Sequence, residues 1–91
     1  MLKAKLRHQI TKAMKLEVIT PDTTLFSGEV KLVQLPGLDG LFEILNNHAP
    51  MIAALGKGRI KYHEADGKDQ FLEISGGVLE VINNKVLVLA G

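Results

Sequence analysis

The chain has 91 residues, the length of a single domain, with 46% hydrophobic residues and no cysteine. Its core therefore depends on apolar packing, since neither disulfides nor thiolate metal sites can supplement it. No apolar run approaches the roughly 18 residues needed to cross a bilayer, and no signal-peptide pattern is present. We expect a chain that is neither exported nor inserted in a membrane.

The formal net charge of +1 conceals an uneven distribution of charge. Four cations and no acid precede Met14, whereas residues 14–91 hold ten acids and seven bases. A mildly acidic body with 4% aromatic residues lacks the basic surface and the stacking side chains of nucleic-acid binders, so we expect no nucleic-acid partner. The four aromatic residues lie in patterns typical of a core: Phe26, Phe42, Tyr62 and Phe71.

Residues 1–13 are predicted to be a basic leader or extension, disordered or loosely helical, before a domain at 14–91. Leu2, Leu6 and Ile10 recur at helical spacing among the cations, as in an amphipathic helix at a membrane surface or in a targeting segment. A single stripe is slender support for such a helix, and Met14 resembles an internal start. We prefer the interpretation as an upstream extension.

From Met14 onward, short runs of β type alternate with turn residues at the spacing of a sandwich. The fold class is therefore all-β, with the predicted strands at 15–20, 28–35, 41–45, 51–55, 59–65, 68–75, 78–82 and 85–89. Asp66–Gly67 predicts a type I′ hairpin, and Asn83–Asn84 predicts the closing hairpin. Gly76–Gly77 indicates a bulge or a close approach of two backbones.

The residues that carry chemistry are not grouped along the chain. His8, His48 and His63 are widely separated and lack metal-ligand spacing, and the sequence contains no GxSxG, GxGxxG or P-loop motif. We therefore predict no catalytic residue, no metal site and no cofactor.

The segment 35–50 combines turns with apolar side chains. If Phe42 and Ile44 face the core, strand alternation directs Leu41, Glu43 and Leu45 outward, which makes Glu43 and Leu45 candidates for an exposed interface beside Leu41.

His48 is held extended because Ala49 and Pro50 follow it. Its ring either caps a turn or is presented to another subunit, and the sequence leaves both possibilities open.

Six blocks, in this order and spacing, resemble the amino-terminal domain of the epsilon subunit of F-type ATP synthase, which is called delta in mitochondria. The resemblance covers residues 14–91 and rests on KLEVITP (15–21), LFSGEV (25–30), LPG (35–37), NHAP (47–50), SGGVLEV (75–81) and VLVLA (86–90).

The resemblance implies a flattened β-sandwich of about ten short, mainly antiparallel strands. It also implies a non-catalytic rotor subunit of the central stalk, monomeric when isolated, which binds gamma and the c ring and couples proton-driven rotation to ATP synthesis. Such a subunit is peripheral on the cytoplasmic face of the bacterial inner membrane, or the organellar equivalent, and its association with the membrane is indirect, through the complex.

Contact residues also follow from the resemblance. Thr20, His48 and Ala53 match positions that face gamma. The tip that meets the c ring matches Leu38, Asp39, Gly40, Leu41 and Phe42.

The sequence departs from the family in two places. The family often has an acidic or polar residue where this chain has Leu41, and glycine where it has Glu43, so the expected c-ring contact is more apolar. The family usually continues into a two-helix carboxy-terminal domain, whereas this sequence stops at Gly91. We expect no helical hairpin and carry over neither its inhibitory function nor its ATP binding.

An alternative function is a carrier domain of the lipoyl or biotinyl type, because these modules are also small and all-β and are modified on a lysine at a hairpin tip. Lys68 would be that lysine. It lacks the Met-Lys-Met or Asp-Lys setting of such modules, and we place it at the start of a strand.

Overall fold

The computed structural model describes residues 14–64 and 66–91, and the predicted leader at 1–13 lies outside the described residues. Every regular element in the described ranges is a β-strand, so the all-β prediction is confirmed with eight strands rather than about ten. The strands are β1 (Met14–Ile19), β2 (Thr24–Gly37), β3 (Gly40–Leu45), β4 (Met51–Leu55), β5 (Gly58–Glu64), β6 (Asp69–Ile74), β7 (Gly77–Ile82) and β8 (Lys85–Ala90).

The strands pair in the order β1-β8-β7-β4-β2-β5-β6, with β3 on β2. Strand β1 is parallel to β8, and the other pairings between described strands are antiparallel. Because β2 also pairs with β1, the path closes on itself and the sheet folds into two facing layers. The first layer contains β1, β8, β7 and β4, the second contains β3, β5 and β6, and β2 runs through both.

A register irregularity in β2 allows this strand to serve both layers. Its pairing with β5 shifts between Val30 and Leu32. The buried positions change parity at the same point, from Val30 to Val33 and Leu35. An unbroken alternation would direct Val33 and Leu35 to solvent, so the extra residue keeps both halves of β2 facing the core.

The core lies between the two layers and is apolar: no described polar or charged side chain is buried. Burial of one large apolar side chain contributes about 1.5–3 kcal/mol, so these side chains supply most of the stabilisation. The buried apolar residues are Met14, Leu16, Val18, Val30, Val33, Leu35, Ile44, Leu55, Ile60, Tyr62, Ile74, Leu79, Val81, Val86, Val88 and Ala90.

Three of the four aromatic residues contribute to this core as predicted. The rings of Phe26 and Tyr62 lie 4.3 Å apart between their centroids, and Phe42 packs half-buried against the cluster. The prediction is wrong for Phe71, which is 50% exposed. Strand alternation directs it outward on β6, where the guanidinium carbon of Arg59 lies 4.7 Å from the ring centroid and covers one face.

The two predicted hairpin turns differ in outcome. Asn83 and Asn84 both have positive φ angles, 49° and 61°, and form the two-residue reversal between β7 and β8, as predicted. The type I′ prediction at Asp66–Gly67 is wrong: β5 ends at Glu64 and β6 begins at Asp69, so the connection is longer than a two-residue turn, and Gly67 has a φ of 96°. The longer loop is fixed by hydrogen bonds from the backbone N–H of Glu64 to the carbonyl of Lys68 and from that of Gly67 to the carbonyl of Glu64, both 2.9 Å.

Gly77 lies at a close approach of two backbones, one of the two possibilities predicted for the Gly76–Gly77 pair. Its φ is 153°, and a Cβ built on it would lie 2.3 Å from the carbonyl oxygen of Leu89 on β8. Glycine is therefore required here both by conformation and by space.

Tyr62 is expected to make the fold less stable at alkaline pH. Burial, and secondarily the charge of Glu64, raise the pKa of its phenol above the ordinary value of 10.0. The unfolded chain therefore loses this proton at a lower pH than the folded chain, so the free energy of unfolding is expected to fall as the pH rises above about 10. Urea unfolding between pH 8 and 12 measures this effect. The decline should be shallower in Tyr62→Phe, and parallel curves for the two proteins would contradict the assignment.

Candidate functional site

The β2–β3 hairpin ends in a compact, projecting turn. Gly37 pairs with Gly40, which leaves Leu38 and Asp39 as the two turn residues. Gly40 has a φ of 127°, a conformation that side chains rarely adopt, and a Cβ on Gly37 would lie 2.8 Å from the ring of Phe42. The two glycines thus permit a tight turn over a half-buried ring, and the side chain of Leu38 is left 70% exposed.

An open groove of about 430 Å³ lies beside this turn. Its lining comes from the turn and from β4: Gly37, Leu38, Asp39, Gly40, Leu41, Phe42, Met51, Ala53 and Ala54. Asp39 is the one ionisable residue in that lining, so the groove fits an apolar or weakly polar group better than a charged one. The structure therefore brings the five residues predicted for the tip together around a single groove.

The alternation predicted for β3 is present. Ile44 is buried and Phe42 is half-buried, whereas Leu41 and Leu45 are 65% and 52% exposed and Glu43 is exposed. Leu41 belongs to the tip, but Leu45 lies at the opposite end of β3, about 13 Å away at strand spacing. The two leucines are therefore not one patch.

The loop between β3 and β4 carries His48 on the surface. The backbone N–H of His48 donates to the carbonyl of Leu45 at 3.2 Å, which closes a turn around Asn46 and Asn47, and Asn47 has a φ of 65°. Nδ1 of His48 donates to the carbonyl of Ala49 at 2.7 Å. This bond fixes the ring and leaves Nε2 available to a partner, so both roles considered for this histidine are compatible with the geometry.

A second open groove, of about 360 Å³, adjoins the His48 loop. It is lined by Pro50, Met51, Ile52, Glu80, Val81 and Ile82. Ile52 is 73% exposed on its wall. An apolar surface of this kind beside a polar loop has the composition of a protein interface.

Thr20 and Ala53, the other residues predicted to face gamma, both make contacts within the domain. The hydroxyl of Thr20 accepts hydrogen bonds from the N–H groups of Asp22 and Thr23, at 3.2 and 3.1 Å, and so shapes the β1–β2 turn. Ala53 points inward and packs half-buried against the core.

The three residues predicted to face gamma are not gathered into one cluster. Thr20 follows the end of β1. The His48 loop lies near the other end of this strand, because it is hydrogen-bonded to Asn84, and the backbone carbonyl of Asn84 accepts from the N–H of Lys15. Lys15 and Thr20 are about 16 Å apart along the strand. A partner that contacts all three residues must lie along the length of the domain.

The outer face of the first layer carries exposed apolar side chains that the sequence patterns were not taken to predict. Ile52, Val78, Ile82 and Leu89 are each at least 44% exposed on β4, β7 and β8. A signal was present, because β7 and β8 are apolar at nearly every position and not only at alternate ones. Such runs are typical of strands covered on both faces.

The ionisable residues of the described ranges form no group of three or more His, Cys, Asp or Glu side chains placed to hold a metal ion. The nearest approach to a cluster is on β5 and β6, where Asp69 contacts Nδ1 of His63 at 2.7 Å and Nζ of Lys61 at 3.9 Å. No helix in residues 14–64 and 66–91 is long and apolar enough to span a bilayer.

Lys68 is exposed in the β5–β6 loop and precedes β6, so its placement at the start of a strand is wrong. Its backbone N–H donates to the side chain of Asp66 at 3.1 Å. Its position alone therefore does not argue against the carrier alternative.

Curated relatives are similar over most of the chain. The chain is 46% identical over 78 residues to the ATP synthase epsilon chain of Chlorobium limicola, which covers 86% of this chain and 89% of that protein. It is 46% identical over 79 residues to the epsilon chain of Nitratidesulfovibrio vulgaris strain Miyazaki F, and 44% identical over 75 residues to that of Syntrophomonas wolfei. These two matches cover 87% and 82% of this chain but only 58% and 55% of the relatives.

Solved structures share the fold. A chain of the Euglena gracilis mitochondrial ATP synthase, in a structure of OSCP, F1 and the c ring, superposes with a TM-score of 0.82 at 20% identity, over 87% of this chain and 51% of that one. A chain of the central stalk and c ring of the Tetrahymena thermophila enzyme gives 0.69 at 18% identity, over 85% and 62%. The family described as "ATP synthase, Delta/Epsilon chain, beta-sandwich domain" matches residues 13–91. The chain therefore belongs to the delta/epsilon family of ATP synthase, as the resemblance of its sequence blocks predicted.

Proposed function

We propose that this protein is a non-catalytic subunit of the central stalk of an F-type ATP synthase, which binds gamma and the c ring and couples proton-driven rotation to ATP synthesis. Membership of the epsilon family supports the assignment to the complex. The structural neighbours come from assemblies that contain a c ring, in one case with the central stalk.

The observation that carries the proposal is the projecting apolar tip. Leu38 and Leu41 are the most exposed leucines of the described residues, at 70% and 65%, and both line the groove at the end of the β2–β3 hairpin. Exposure of such side chains to water is unfavourable for the isolated subunit, and a partner that covers them makes the free energy of association more favourable. We assign this tip to the c ring.

Gamma is assigned to the surface that carries Thr20, His48 and Ala53. The support is the open groove beside the His48 loop and the exposed Ile52 on its wall. Thr20, His48 and Ile52 lie outside the tip groove, so gamma can bind there while the c ring covers Leu38 and Leu41, and the two surfaces adjoin at Met51 and Ala53, which line the tip groove. The subunit then reaches the cytoplasmic face of the bacterial inner membrane, or the organellar equivalent, indirectly through the complex.

Co-purification tests the proposal. The full chain, carrying an affinity tag, is expected to retain both the gamma subunit and the detergent-solubilised c ring of Chlorobium limicola, because its sequence is 46% identical to the epsilon chain of that organism. The Chlorobium epsilon chain, tagged in the same way, is the positive control. Retention of both partners by the control and of neither by this chain would show that the assignment is wrong.

A further inference from the structure

Asn84 links two segments that are distant in sequence. Its side-chain Oδ1 accepts a hydrogen bond from the backbone N–H of Asn47 at 2.7 Å, and its Nδ2 donates to the side-chain carbonyl of Asn46, also at 2.7 Å. These bonds connect the β7–β8 turn to the loop between β3 and β4, across 37 and 38 positions. Both ends of the amide therefore bond to the loop between β3 and β4.

The backbone around Asn84 fixes the direction of that amide. Asn84 has a φ of 61° within the two-residue turn, and its carbonyl accepts from the N–H of Lys15 at 3.2 Å. The turn is thus anchored to β1 as well as to β7 and β8. The side chain projects from a rigid corner where three segments of the chain meet.

The loop residues held by Asn84 are the two that orient His48. The hydrogen bond from the N–H of His48 to the carbonyl of Leu45 closes a turn in which Asn46 and Asn47 are the central residues. Asn47 has a φ of 65°, a conformation that costs free energy unless its surroundings stabilise it. The bond from Asn47 to Asn84 supplies such stabilisation.

We propose that Asn84 is a positioning residue for gamma binding: its amide holds the Asn46–Asn47 turn so that His48 and the adjoining groove face gamma in a preorganised geometry. This inference rests on the proposed function, which assigns His48 to the gamma surface. An ordered loop loses less conformational entropy on association, so removal of the amide lowers affinity even when the domain remains folded.

The central variant is Asn84→Gly, because glycine accepts the positive φ without strain and removes only the amide. Asn83→Gly is the matched control in the same turn, since Asn83 also has a positive φ, 49°, but no side-chain bond to the His48 loop. Asn46→Asp is the conservative variant, because a carboxylate oxygen can still accept from Asn84. Affinity for Chlorobium limicola gamma is measured by biolayer interferometry, well below the unfolding temperature of every variant.

The expected result is a five- to tenfold loss of affinity in Asn84→Gly, with Asn83→Gly and Asn46→Asp close to the parent protein. His48→Ala should weaken binding on its own, and adding Asn84→Gly to it should have little further effect, because Asn84 acts through the loop. Two outcomes overturn the inference but leave the gamma assignment intact: full affinity in Asn84→Gly while His48→Ala is weakened, or additive losses in the double variant. Full affinity in His48→Ala overturns the placement of His48 at gamma, and the inference with it.

Discussion

Gly77→Ala is expected to destabilise the domain by about 3–5 kcal/mol and to lower its unfolding temperature by roughly 15 °C or more. The new Cβ would lie 2.3 Å from the carbonyl oxygen of Leu89 and 3.1 Å from the Cα of Ala90, and both of these are backbone atoms. No change of rotamer relieves such a clash, so β7 and β8 must separate or Gly77 must leave its φ of 153°. Thermal unfolding of the full chain followed by circular dichroism measures the effect.

The control for this prediction is Gly67→Ala. Gly67 also has a positive φ, 96°, but a Cβ on this residue would meet no described atom within 4 Å. The substitution therefore introduces backbone strain without the clash and should cost about 1–2 kcal/mol. Equal losses in the two variants would mean that β7 and β8 can move apart freely, which would contradict the close approach as the cause.

Local patterns in the sequence predict the strands of this fold but not how the strands assemble. The alternation of Leu16 and Val18 and the paired asparagines at 83 and 84 act over a few residues, and the structure has the strand and the turn that they indicate. The parallel pairing of β1 with β8 joins residues 70 positions apart, such as Lys15 and Lys85. Nothing near either strand specifies that partner.

The irregularity in β2 illustrates a second limit. Val30, Leu32, Val33 and Leu35 are apolar with Lys31 and Gln34 between them, and this pattern does not by itself show whether Leu32 or Val33 faces the core. The shift is determined by pairing with β1 on one side and with β5 on the other, which are both tertiary constraints. The bounds of this strand also differ from the prediction. The strand predicted at 28–35 begins four residues later and ends two residues earlier than β2 at Thr24–Gly37.

The candidate site was predictable only where its residues are specified by local sequence patterns. The turn glycines and the alternation of β3 place Leu38 and Leu41 at an exposed tip, and both signals are local. The bond between Asn84 and the His48 loop is not local, and asparagine in a hairpin turn is sufficiently explained by its positive φ. Its second role becomes visible only when the β3–β4 loop lies beside it.

The second large effect is expected at the tip, where Leu38→Ser combined with Leu41→Ser should weaken binding to the c ring by roughly 30- to 100-fold. Each leucine exposes most of its side chain, at 70% and 65%, and covering the pair contributes about 2–3 kcal/mol on association. The unfolding temperature should change by no more than a few degrees, because neither side chain belongs to the core. Affinity for gamma should stay the same, since the His48 loop is untouched.

Two single variants serve as controls for the tip. The Gly77 end of β7 lies near the tip, because Gly77 pairs with Leu55 and Leu55 pairs with Gly37. Ile82→Ser removes an exposed apolar side chain at the other end of β7, away from the tip. Leu45→Ser removes one at the far end of β3. Both should bind the c ring nearly as well as the parent protein, and an equal loss in either would indicate a general effect of surface polarity.

Salt dependence identifies the kind of contact that the tip makes. An apolar contact through Leu38 and Leu41 should keep its affinity for the c ring between about 50 and 500 mM salt, whereas a contact governed by Asp39 should weaken markedly as screening increases. The double serine variant retains Asp39, so it distinguishes the two cases directly. If the contact is apolar, the variant binds the c ring more weakly than the parent protein at every salt concentration. If Asp39 governs the contact, the variant binds nearly as well as the parent protein at low salt. Full binding by this variant at low salt would assign the c-ring contact to the Asp39 carboxylate and not to the leucines. We expect the first result, because Leu41 and Leu38 border the groove on both sides of Asp39 and leave it as the single charge in an otherwise uncharged lining.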